Sequence, residues 1–292
     1  MSAPKALEII DPGIHAHIQD DGRMGHMAVG VGRAGAADHG AYALATRLVG
    51  NVPGAAAIEA TLGGLRVRAM GDLLVALTGA PTHAHVDGRP VAHAALVRLP
   101  TGAELALGVP LLGLRTYLAV RGGVAVEPVL GSRSTDTMSG LGPPPLTAGT
   151  VLQVGTSTVH LPRVDHAPVA PPESDEVTLR VTAGPRRDWF ADPEQLATIA
   201  WAVSDKSDRK GIRLTGGSVQ RAPDLRDAEL PSEGMVRGAI QIPPNGEPVI
   251  FLNDHPVTGG YPVIGVIRTA DIDRAAQLVP GQGLRLRWDG IR

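Results

Sequence analysis

From Ala57 to Leu161 short apolar runs alternate with turn signals. IEATL, LRVRAM, LLVALTG, HAHVDG, ALVRLP, ELALG, RTYLAVRGGV and VLQVG are separated by Gly-Gly, Asp-Gly, Gly-Asp and Thr-Gly pairs. Short strands at that spacing predict a barrel or a sandwich. Residues 7–19 (LEIIDPGIHAHIQ) predict two more strands about the turn Asp11-Pro12-Gly13. A further hairpin is predicted where Ala239–Ile242 and Pro248–Leu252 flank Pro243-Pro244-Asn245-Gly246, because Asn-Gly tolerates positive φ. Its second strand runs into Asn253-Asp254-His255 and then Thr258-Gly259-Gly260-Tyr261-Pro262, polar groups set on bare backbone.

Helical spacing is rarer. Tyr42, Ala45, Leu48 and Val49 follow Asp38, an N-cap residue, and precede Gly50, which predicts a helix over 38–49. Residues 193–202 and Thr269–Leu278 predict two shorter helices, the second ending before Pro280-Gly281. The proline-rich stretch 162–176 lacks periodicity and reads as a linker. The expected organisation is a β lobe over 1–161, that linker, and a second β lobe over 177–292.

Composition narrows the class. Of 292 residues 43% are hydrophobic and only 3% aromatic, so Val, Leu, Ile and Ala must build the core. A net charge of −2 and the lack of a basic stripe argue against nucleic acid as a partner. Zero cysteines remove disulfides, thiolate metal sites and thiol nucleophiles. MSAPKALEII carries no apolar signal core and no run reaches membrane-spanning length, so the expected location is the cytoplasm.

Several constellations carry chemistry. His15-x-His17 and His83-x-His85 put imidazole pairs on strand faces, but a third ligand is wanting, so they read as structural or surface histidines and no metal is expected. The loop Arg133-Ser134-Thr135-Asp136 reads either as a guanidinium able to clamp a carboxylate or phosphate, or as a self-satisfied Arg–Asp turn. Ser204–Arg209 reads as a solvated charged turn. No Walker loop and no GxSxG elbow are present.

These residues occur in ordered blocks: QDDGRMGH, GVGRAGAADHGAYALATRLVGN, AAAIEATLGG, YLAVRGG, GSRSTD, VSDKSDRKGIRL, SEGMVRGAIQIPPNGEPVIFLNDHPVTGGYP and TADIDRAAQLVPG. Together they resemble the allophanate-hydrolase-subunit-2 family, also called biotin-dependent carboxyltransferase or KipA-like. It includes one of the subunits of bacterial 5-oxoprolinase and the second half of the urea carboxylase carboxyltransferase domain. The resemblance covers nearly the whole chain. It departs at His255, where the family usually has Arg, and at Val263, often Lys.

The resemblance implies mainly β architecture, with cyclophilin-like β-barrel lobes and a few short helices. It also implies a subunit-1 (KipI-like) partner in a heterodimer or heterotetramer, an amidohydrolase-like subunit and a small amide substrate. The reaction so implied is ATP-dependent opening of 5-oxoproline to glutamate, with ATP bound through the complex. Carboxyl transfer from carboxybiotin to urea or a related amide is the alternative, and only there is biotin needed. A non-catalytic regulator that binds a kinase inhibitor is a third. An unreactive lactam carbonyl needs donors at its oxygen, for which Arg23, Arg133 and the Gly259-Gly260 amides are available. Asp20, Glu59 or Asp254 is the expected general base, with Asp136 beside Arg133. Gln19, Asn51, Gln241, Thr258, Gly259, Gly260 and Tyr261 are the expected substrate-binding residues. The loop 254–262, Arg133 and Asp20 are expected to converge on one cleft.

Overall fold

The computed structural model describes residues 5–290. Met1–Pro4, the start of the stretch read for a signal peptide, lie outside the described residues. The chain divides into two compact units, neither continuous in sequence. Unit 1 comprises Met1–Arg23, Asp38–Asp136 and Gly140–Pro172; unit 2 comprises Met24–Ala37, Thr137–Ser139 and Glu173–Arg292. A linear division at 162–176 leaves residues 24–37 and 137–139 with the first lobe; by their contacts they belong with the second.

Unit 1 holds β1 (Ala6–Pro12), β2 (His15–Gln19), α1 (His39–Leu48), β3 (Ala57–Thr61), β4 (Leu65–Met70), β5 (Leu73–Gly79), β6 (Thr82–Val86), β7 (Arg89–Pro90), β8 (Leu96–Leu99), β9 (Glu104–Pro110), β10 (Arg115–Val120) and β11 (Val151–Gln153). They form a six-stranded sheet, β11-β1-β4-β9-β6-β7, and a five-stranded sheet, β2-β3-β10-β5-β8. Of the barrel or sandwich predicted for this half, the strands form two sheets. Alternation explains the packing: Leu7, Ile9, Leu65, Val67 and Leu105 from the first sheet meet Ile18, Ile58, Val75, Leu77 and Leu118 from the second in one core. The predicted strands at 7–19 do form, but β1 and β2 enter different sheets.

Helix α1 forms as its end signals require. The Asp38 carboxylate accepts from Ala41 N at 2.9 Å. At the other end Gly50 (φ 63°) donates to Arg47 O and Asn51 N donates to Thr46 O, the paired bonds of a Schellman stop.

Unit 2 holds β12 (Val177–Ala183), α2 (Gln195–Thr198), β13 (Trp201–Val203), β14 (Gly211–Thr215), β15 (Glu233–Gly234), β16 (Ala239–Gln241), β17 (Val249–Phe251), β18 (Thr258–Gly259), β19 (Val263–Ile267), α3 (Thr269–Ala275) and β20 (Gly283–Trp288). Seven of the strands close a barrel in the order β12-β19-β16-β17-β14-β13-β20, and β15 and β18 pair separately. The Asn-Gly hairpin is the antiparallel pair β16–β17. The helix predicted over 193–202 shrinks to α2, because Trp201–Val203 pairs with β14 and β20 and buries Trp201 in the barrel core. Likewise α3 ends at Ala275, three residues earlier than its periodicity predicts. Among the described residues no helix is long and apolar enough to cross a membrane.

Candidate functional site

In unit 1 the polar residues gather on the segment 132–136. Asp20 is buried, and its Oδ1 accepts from Gly22 N (2.8 Å), Ser132 Oγ (2.6 Å) and Ser134 Oγ (2.6 Å). Its Oδ2 accepts from Arg133 N at 2.6 Å. This carboxylate is thus held by four neutral donors. Gln19 Nε2 donates to Thr135 O at 3.0 Å, and Arg23 Nη2 donates to Ser134 O at 2.6 Å. Arg23 Nη1 stands 4.0 Å from Asp136 Oδ2, with both side chains buried. Of the two readings of 133–136, the self-satisfied Arg–Asp turn gives way to this arrangement: Arg133, half-buried, directs Nε to Val126 O at 2.7 Å. The structure therefore brings Gln19, Asp20, Arg23, Arg133 and Asp136 together.

Glu59 belongs to a second polar row in the same unit. Antiparallel register sets His17 opposite Glu59, Glu59 opposite Tyr117, and Tyr117 opposite Thr78 across the five-stranded sheet. Their neighbours Ile18, Ile58, Leu118 and Leu77 fill the core, so alternation puts the polar row on the other face. Glu59 is fully buried, accepts from Tyr117 Oη at 2.8 Å, and lies 3.6 Å from Arg115 Nε. Tyr117 Oη in turn accepts from Asp38 N at 2.8 Å. Burial and then the Glu59 and Asp38 charges push the Tyr117 phenol well above its ordinary range, so it stays a proton donor. Burial, Asp21 and Asp20 push Tyr42 up in the same way.

Asn51 stands apart from both groups. Its amide is engaged at both ends by the strand-end backbone, donating to Val120 O (2.8 Å) and accepting from Gly122 N (2.7 Å). Of the two histidine pairs, His17 is buried and stacks on exposed His15, with ring centroids 6.2 Å apart. Among the described residues no group of three or more His, Asp or Glu is arranged to hold a metal.

Unit 2 has its own polar centre at the end of β17. Asp254 is 1% exposed and pairs with Arg209 through Nε–Oδ2 (3.0 Å) and Nη2–Oδ1 (3.1 Å). Asp254 Oδ2 also accepts from Thr137 N (2.9 Å) and Thr137 Oγ1 (2.7 Å), and Arg209 Nη2 donates to Gly35 O at 2.8 Å. Next to it Asn253 Nδ2 donates to Ala36 O (2.9 Å) and Ala34 O (3.2 Å). Ala34 has φ 51°, a left-handed conformation that costs a residue with a Cβ about 1–2 kcal/mol. The charged turn 204–209 is hence only partly solvated: its last residue, Arg209, is buried.

The glycine loop lies farther along unit 2. Gln241 Nε2 donates to Tyr261 O at 3.0 Å, and a Cβ on Gly259 would stand 2.5 Å from that nitrogen, so any larger residue would displace the amide from its bond. Thr258, Gly260 and Tyr261 are exposed, Tyr261 by 44%. Glu233, paired with Gly259 in register, is held below its ordinary range by a hydrogen bond from Arg186. His255 is buried, stacks on Phe251 at 5.7 Å and places Nδ1 2.8 Å from Pro256 O.

Ser132, Arg115, Tyr117, Asn253 and Arg209 are polar members of these networks that were not among the expected site residues. Alternation along RTYLAV puts Arg115 and Tyr117 on one face and so held a usable signal. Arg209, inside a charged turn, gave none in its local pattern and stood out only through the resemblance of the block VSDKSDRKGIRL.

Comparison with known proteins identifies the family. Residues 29–288 match the family described as "Carboxyltransferase domain, subdomain A and B". A 5-oxoprolinase subunit of Escherichia coli K12 is 36% identical over 94% of this chain and 89% of its own length. The urea amidolyase of Lachancea kluyveri is 32% identical over 97% of this chain, which spans only 17% of that protein. The crystal structure of the K. lactis urea amidolyase superposes with a TM-score of 0.89 at 30% identity, over 98% of this chain and 19% of the other. With a barrel of this form and a family match over most of its length, the chain belongs to the carboxyltransferase-domain (subdomain A and B) family.

Proposed function

We propose that this chain is one subunit of a heteromeric ATP-dependent 5-oxoprolinase, which opens 5-oxoproline to glutamate. The observation that carries this reading is the end-to-end correspondence with the Escherichia coli 5-oxoprolinase chain, 94% of one against 89% of the other. The urea amidolyase match instead corresponds to a small part of a much longer protein. The partner in this reading is a cytoplasmic subunit-1 (KipI-like) protein, and an amidohydrolase-like protein completes the enzyme. ATP is used by the complex.

Within this chain, Arg133 on the 132–136 segment and Arg23, which donates to Ser134 O, are the proposed cationic groups, and Asp20 sets that segment's course. The carboxylates first expected as bases, Asp20, Glu59 and Asp254, are engaged by four donors, by Tyr117, and by Arg209 with Thr137. Their proposed role is accordingly to hold the donors of the site in place, since a preorganised donor needs no reorganisation during reaction. Carboxyl transfer to urea or a related amide, with biotin as carrier, is the second reading, favoured by the description of the matching family.

Reconstitution tests the proposal. The chain, co-expressed with subunit-1 and the amidohydrolase-like protein, is expected to co-elute with subunit-1 and release glutamate from 5-oxoproline only with ATP. Separate elution of the chain, or full glutamate release without it, would count against the reading.

A further inference from the structure

We infer that Arg209 and Asp254 are positioning residues: a buried latch that fixes the course of two segments of unit 2, residues 24–37 and 137–139. All four participants, Arg209, Asp254, Gly35 and Thr137, belong to that unit. The two side chains meet as a fork, Nε to Oδ2 and Nη2 to Oδ1, and each keeps capacity for a further partner. Arg209 also donates to Gly35 O, and Asp254 also accepts from both the amide and the hydroxyl of Thr137. Asn253, one residue before Asp254, takes Ala34 O and Ala36 O. Three successive carbonyls, 34 to 36, are thereby held by two side chains, and residue 137 by a third.

Neither segment has regular structure at the points that are held. Ala34–Ala37 and Thr137–Ser139 carry no helix or strand, and the short 3-10 turn Met27–Val29 precedes the first attachment. Without a ladder of their own, such segments take their position from side-chain bonds. The bonds come from two places on the barrel: Arg209 precedes β14, and Asn253-Asp254 follow β17. Leu252 N donates to Lys210 O and Asp254 N donates to Arg209 O, so the two places are already zipped together by backbone. The latch is therefore anchored on rigid strands and reaches out to segments that lack them. Lysine cannot substitute in this geometry, since an ammonium presents no planar fork.

Hydrogen exchange on the isolated chain tests the latch. In Arg209→Lys, exchange at residues 27–37 and 137–139 is expected to accelerate tenfold or more, while β19 and β20 keep wild-type protection. Unchanged exchange in both segments would overturn the inference, as would uniform acceleration across the unit, which marks mere loss of stability. Two milder variants keep the test open should Arg209→Lys fail to fold. Thr137→Val should loosen 137–139 alone, and Asn253→Ala should loosen 34–36 alone; loosening of neither, or of both by each, would contradict separate attachment. A kinetic arm rests on the proposed function: in the assembled complex Arg209→Lys should raise KM for 5-oxoproline at least fivefold. Loss of folded protein would lower kcat and leave KM alone, which also counts against the latch. Wild-type inactivity toward 5-oxoproline would count against the proposed function and leave the exchange result standing.

Discussion

Asp20 in unit 1 and Asp254 in unit 2 are both buried carboxylates near the end of a β strand, yet their charges are handled in opposite ways. Asp20 is surrounded by two hydroxyls and two backbone amides. Asp254 has a bidentate arginine and one threonine. Neutral donors spread the stabilisation over many weak bonds. A single counter-ion concentrates it in one partner whose removal strands a buried charge. Asp271 is an intermediate case: its side chain is 3% exposed, but its partner Arg180 is 38% exposed.

The largest effect should come from breaking the concentrated pair. Arg209→Ala is expected to cost about 3–5 kcal/mol, read as a lower urea midpoint. The double variant Arg209→Met/Asp254→Leu should cost less than Arg209→Ala alone, because no unpaired charge remains. A double variant costing the sum of its singles would mean that the two residues act independently.

Asp20→Asn should cost less, about 2–3 kcal/mol, because the hydroxyls can turn while the Arg133 amide loses a charged acceptor. If it equalled Arg209→Ala, distributed and concentrated stabilisation would not differ.

Acid should expose the intermediate case. Hydrogen bonds from Arg180 outweigh burial and bring Asp271 down to about 2. A folded value below the unfolded one of about 3.9 contributes stability that is present above pH 4 and lost as pH falls through 2. The loss should be about 2 kcal/mol, and Asp271→Asn should flatten that part of the stability–pH curve. Equal acid slopes for variant and wild type would contradict it. Ser132→Ala, removing one of four donors, should have the smallest effect, about 1 kcal/mol by denaturant titration.

The fold was legible where its signals were local. Asp38, the apolar spacing of α1 and Gly50 lie within thirteen residues, and the Asn-Gly hairpin β16–β17 is as compact. Strand partners were not legible, since β10 lies between β3 and β5 through pairings set by distant sequence. For the same reason residues 24–37 could not be assigned to unit 2: three of their carbonyls are held by residues more than 170 positions away. Within the site, the blocks QDDGR and GSRSTD were conspicuous, and the structure joins them through Asp20, Ser132 and Ser134. The burial of Arg209 was not legible, because a turn of alternating charges carries no period that reports burial.

The central claim, that this subunit serves lactam opening, is tested most directly by substrate choice. ADP release by the reconstituted complex would be compared with 5-oxoproline and with urea, the latter supplied with bicarbonate and a biotin carrier. The account predicts 5-oxoproline-dependent ADP release matched by glutamate, and no release above background with urea. Release driven by urea and absent with 5-oxoproline would contradict it.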